Sequence, residues 1–93
     1  MLAQKKLRIT TGSVKRLQKE LKMYMEEYEH YTKTIEQLQD EYDIKKHKEL
    51  AEESNSMVKD TKSRLNKAVV ELKSLVELAD EGEEKLAAIE VMK

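Results

Sequence analysis

The sequence predicts an all-α fold, an elongated antiparallel three-helix bundle with two long helices and a shorter C-terminal one. Three observations carry this. Ala, Glu, Lys, Leu and Arg fill just over half of the 93 residues, with no proline and two glycines, which is the composition of long helices and coiled coils. Apolar residues recur in alternating steps of three and four, the repeat of a helix seam. A basic stretch near the start is matched by an acidic stretch near the end, as two neighbouring helix ends of opposite direction require.

The first seam runs through Val14, Leu17, Leu21, Tyr24, Tyr28, Tyr31, Ile35, Leu38 and Tyr42. Thr11 or Ser13 is the expected cap, because a short hydroxyl side chain accepts from the unpaired amides of a first turn. This places a helix over about 12–40, with residues 1–10 a candidate disordered lead. Leu21→Ala, in mid-seam, should then cost about 2–4 kcal/mol. The second register runs through Ile44, His47, Ala51, Ser54, Val58, Thr61, Leu65, Ala68, Leu72, Leu75 and Ala79. Its first half is polar and its second half apolar. Val69, Val76 and Leu78 widen the second half, and a wide stripe suits a helix with two neighbours. A helix over about 43–79 therefore meets a third one towards its C-terminal end.

Asp43 is the expected cap of the second helix. Asp80 and Glu83 fit a cap and its reciprocal carboxylate for the third, over about 83–92, with Leu86, Ile89 and Met92 as its docking face. Charge supports the reversal between the long helices. Residues 1–22 carry Lys5, Lys6, Arg8, Lys15, Arg16, Lys19 and Lys22 against Glu20 alone, while residues 77–84 carry Glu77, Asp80, Glu81, Glu83 and Glu84 and no base. Cations at a helix start and anions at a helix end both oppose the macrodipole. A hairpin sets the two unfavourable ends together, where they compensate.

Composition narrows the function. Ninety-three residues are expected to form a single domain. Charged residues make up 40% of the chain with a net charge of −1, unlike the basic excess of a nucleic-acid binder. Without cysteine there is neither a disulfide framework nor a thiolate metal site, and the cytoplasm is the expected location. No apolar run is long enough to span a bilayer, and no export signal is read at the start. Glu27 and His30 have the spacing of a di-iron motif, but the second motif and further carboxylates it needs are not found. The four tyrosines lie on the seam and are expected in the core, with Tyr42 the most available to a partner. No nucleophile–base pair or phosphate-cradling loop is present. The expectation is a protein that is not an enzyme, holds no cofactor or metal, and acts by binding another protein.

Two motifs go further. Leu7-Arg-Ile-Thr-Thr-Gly-Ser-Val-Lys-Arg-Leu-Gln-Lys-Glu20 resembles the opening of the tubulin-binding cofactor A family. So does Tyr42-Asp-Ile-Lys-Lys46, followed by Glu49, Glu53, Ser54, Met57 and Asp60. The resemblance implies a three-helix bundle that captures β-tubulin released from the cytosolic chaperonin, before the αβ heterodimer is built, in the cytoplasm and in association with the cytoskeleton. It also implies no nucleotide hydrolysis. Lys59 stands where the family can carry a helix-kinking proline, so a straighter second helix is expected here.

Outward residues of the two motifs are the candidate partner-binding set: Lys15, Arg16, Lys19, Glu20, Asp43, Lys45, Lys46, Glu49 and Glu53. The competing reading of these residues is a solvated face of an amphipathic bundle. For the whole chain the alternatives are a coiled-coil adaptor unrelated to tubulin and a module that uses its basic start on a membrane surface. Leu50 and Met57 leave apolar flanks through which two copies can pair, so a homodimer stays open beside a monomer.

Overall fold

The computed structural model describes residues 2–93. Three helices follow one another, α1 (Leu2–Ile35), α2 (Glu41–Leu78) and α3 (Glu83–Val91), and no strand occurs among the described residues. Contacts divide the chain into two compact units. The first joins residues up to Gln18 with Ser63–Lys93, and the second is Lys19–Lys62. Each unit pairs part of α1 with an antiparallel part of α2, and α3 belongs to the first.

The first unit has a closed core. Leu7, Val14, Leu72 and Ala88 are at most 1% exposed, and Leu65, Ala68, Val69, Leu75, Val76, Ala79, Val91 and Met92 pack around them. Three helices surround these side chains, so water is excluded from every side. Gln18 fixes the end of α3 by donating from Nε2 to the Val91 carbonyl at 3.0 Å, which satisfies one of the acceptors a helix C-terminus leaves unpaired.

This unit overturns the expected start of the first helix at residue 12. Residues 2–10, the candidate disordered lead, are the first turns of α1; Met1 lies outside the described residues. The seam extends backwards from Val14 through Thr10 and Leu7 in the same three–four alternation; these are buried, as is Thr11 beside them. Thr11 caps nothing: its hydroxyl donates to the Leu7 carbonyl, four residues back, at 2.7 Å. A threonine that returns its hydroxyl to its own helix is satisfied without water and can sit in a core.

The second unit is a two-helix hairpin. Along its α2 portion Ala51, Ser54, Val58 and Thr61 are buried, and Leu50 and Met57 flank them half-buried. Its connection, residues 36–40, is longer than expected, since α1 stops at Ile35 rather than about residue 40. Asp40, not Asp43, caps α2. Its Oδ1 accepts from the Tyr42 and Asp43 amides at 2.8 and 3.3 Å, and Asp43 lies in the first turn itself.

The third helix also departs from expectation. The residue before it is Gly82, in an extended conformation and with no side-chain cap bond, so Asp80 does not serve as the cap. Ala88 is the buried position of α3, while Leu86 is 65% exposed and Ile89 39%. The docking face is therefore built on Ala88 with Val91 and the expected Met92, which pack on the core, while Leu86 and Ile89 are exposed.

Candidate functional site

Within the second unit, the Asp40 cap starts α2 so that Tyr42, Lys45, Lys46 and Glu49 follow at helical spacing. These four line one shallow depression. Tyr42 is 70% exposed. A phenol, two ammonium groups and a carboxylate thus meet on one patch, of which Lys45, Lys46 and Glu49 belong to the candidate set. Asp43 is exposed beside it, and its carbonyl lies 2.9 Å from His47 Nδ1.

A separate groove of about 350 Å³ in the same unit is lined by Tyr24, Glu27, Tyr31, Leu50, Glu53, Ser54 and Met57. Its origin is the mismatch between the two seams. Large tyrosines on α1 face a stretch of α2 whose buried residues, Ala51 and Ser54, are small. The rings cannot be covered by such short partners, so they form walls rather than filling a core. Tyr24 and Tyr31 are half-buried, whereas Tyr28 and Tyr42 are exposed. The expectation that the tyrosines pack in the core therefore fails for Tyr28, while Tyr42 is, as expected, the most available of the four. Tyr31 is flanked by two imidazoles, His30 at 5.6 Å and His47 edge-on at 6.1 Å between ring centroids.

In the first unit, Arg8, Thr11, Gly12 and Lys15 line a cleft with Glu83, Glu84 and Ala87. Bases of α1 and acids from the first turn of α3 share this cleft, which realises locally the charge compensation expected between the two ends of the chain. The candidate Lys15 is one of these lining residues, and Arg16 beside it is exposed. The other seven candidates, Lys19, Glu20, Asp43, Lys45, Lys46, Glu49 and Glu53, lie in the second unit. Glu20 is half-buried and the other six are exposed.

The groove gathers residues that the sequence reading did not combine. Glu27 appeared only as a rejected metal ligand, Tyr24 and Tyr31 as core, and Leu50 and Met57 as flanks. The signal was there in the small residues of the second register, set against aromatic residues in the first.

Near the groove, Glu29 and Lys33 form an exposed ion pair one helical turn apart, at 2.7 Å. The hydrogen bond from Lys33, and then its charge, hold the Glu29 carboxyl below the ordinary carboxylate value of 4.5. The same bond raises the Lys33 ammonium above its ordinary 10.5. These surfaces present charged, aromatic and apolar groups together, the kinds of group that partner-binding surfaces use.

The comparisons with known proteins agree with one another. The family model described as tubulin binding cofactor A matches residues 2–92. A human protein named tubulin-specific chaperone A is 38% identical over 84 residues, 86% of this chain and 78% of the relative. The tubulin-folding cofactor A of Arabidopsis thaliana is 34% identical over 83 residues, covering 85% and 74%. The crystal structure of tubulin folding cofactor A from Arabidopsis thaliana superimposes with a TM-score of 0.89 at 30% identity, over 98% of this chain and 92% of that one. The human tubulin chaperone cofactor A structure gives 0.85 at 34% identity, over 97% and 94%. Sequence motifs, helix order and structural match point the same way, and the chain belongs to the tubulin binding cofactor A family.

Proposed function

We propose that this chain is a cytoplasmic, cytoskeleton-associated tubulin-folding chaperone. It captures β-tubulin after the cytosolic chaperonin and holds it until the αβ heterodimer is assembled. The observation that carries this reading is family membership over residues 2–92, together with the match in fold to two tubulin cofactors.

The mechanism is cover rather than catalysis. An unassembled β-tubulin exposes the face it would give to α-tubulin, and such a face is prone to aggregate. Exposed helical surfaces that carry charged heads on apolar stems can shield it while remaining soluble. Lys15, Arg16, Lys19, Glu20, Asp43, Lys45, Lys46, Glu49 and Glu53 are the contacts we assign to β-tubulin. Charged contacts of this kind set encounter rate and orientation more than final affinity.

Gel filtration tests the reading. The chain is mixed with β-tubulin freed from the heterodimer, with α-tubulin, and with intact heterodimer. Co-elution with β-tubulin alone is the expected result. Co-elution with none of them, or equally with all three, would contradict the proposal.

A further inference from the structure

The tyrosine groove of the second unit has a charge character of its own. The two stretches that wall it are residues 24–31 and 49–57. They contain Glu26, Glu27, Glu29, Glu49, Glu52 and Glu53, and neither lysine nor arginine. Glu29 is already paired with Lys33, but Glu27 and Glu53, which line the groove directly, make no ion pair among the described residues. The same groove is lined by two tyrosines and by the apolar Leu50 and Met57.

Each feature selects for the same guest. Aromatic faces carry negative potential and attract a cation, and a planar guanidinium stacks on them while its edge donates to carboxylates. Apolar walls suit the methylene stem of a long basic side chain. The contacts of Tyr31 with His30 and His47 restrict its ring, so less freedom is lost when a guest enters. We propose that this groove is a docking site for an arginine side chain presented by a partner protein, with Tyr24 and Tyr31 contacting the guanidinium faces and Glu27 and Glu53 accepting from its edges. This goes beyond the assignment to β-tubulin and does not depend on it.

The test uses the full chain and a blocked pentapeptide, glycyl-leucyl-arginyl-leucyl-glycine, titrated while methionine methyl and tyrosine ring resonances are followed by NMR. Saturable shifts at Met57, Tyr24 and Tyr31 are expected, with the exposed Met23 and Met25 unmoved. Replacing arginine by citrulline, which keeps the shape and removes the charge, should abolish saturation. Glu27→Gln combined with Glu53→Gln should weaken binding about three- to tenfold, and an unchanged circular dichroism spectrum establishes that the variant is folded. Tyr24→Leu offers a second, carboxylate-independent variant with the same expected direction. Equal binding of the citrulline peptide, shifts spread over all methionines, no shift at all, or full affinity in the folded variants would each overturn the proposal.

Discussion

The two units of the molecule are built from the same two long helices and differ in what closes them. In the first, α3 supplies a third wall, and Leu7, Val14, Leu72 and Ala88 are sealed to 1% exposure or less. In the second there are two walls only. Its buried positions are small or polar, Ala51, Ser54, Val58 and Thr61, and its aromatic residues remain at the rim. Apolar area removed from water is the main source of stability. The comparison therefore assigns stability to the first unit and an open, adaptable surface to the second.

The largest effect should come from the sealed core. Leu72→Ala is expected to cost about 2–5 kcal/mol, through lost burial and the cavity left behind. Leu21→Ala, in the second unit, should cost less than the roughly 2–4 kcal/mol that its place in the seam implied. Leu21 is half-buried, which lowers the figure to about 1–2 kcal/mol. Denaturant melts of the two variants compare the units directly. Equal losses would break the distinction.

Asp40→Ala is expected to cost about 0.5–2 kcal/mol by removing the cap of α2, while Asp43→Ala should leave the melt nearly unchanged. The opposite ranking would restore the cap to Asp43. Gly12→Ala should stabilise by about 0.5–1 kcal/mol, since Gly12 lies inside α1 and an added Cβ would meet nothing within 4 Å. A loss on this substitution would mean that the helix does not run through residue 12.

The smallest effect concerns the exposed Glu29–Lys33 pair. Glu29 has a lowered carboxyl, so its contribution is present above 4.5 and is lost as the pH falls through its lower folded value. Lys33 has a raised ammonium, so its contribution is present below 10.5 and is lost as the pH rises through its higher folded value. The small difference in melting temperature between the wild type and Lys33→Ala should appear between these limits. It should fade in acid, in strong base and at high salt.

What the sequence disclosed follows the same division. The second register was legible at every position because its buried residues keep strict spacing, even where they are Ser54 and Thr61. The start of α1 was hidden by residue types that usually mark boundaries. Thr11 and Ser13 look like caps, yet both lie inside α1 and Thr11 is satisfied by the Leu7 carbonyl within the helix. In α3 the misreading came from size. Leu86 and Ile89 look like core, but close approach of the helix requires Ala88. The groove was obscured because spacing places a side chain on a face without revealing whether its neighbour is large enough to cover it.

Hydrogen exchange on the full chain, alone and mixed with β-tubulin freed from the heterodimer, tests the division of roles most directly. The account predicts slowest exchange in the free chain around Leu7, Val14 and Leu72, and faster exchange over residues 19–62. On addition of β-tubulin, protection should rise chiefly over 15–20 and 43–53, where the assigned contacts lie. Protection gained only around α3 and the sealed core, with residues 19–62 unaffected, would contradict it.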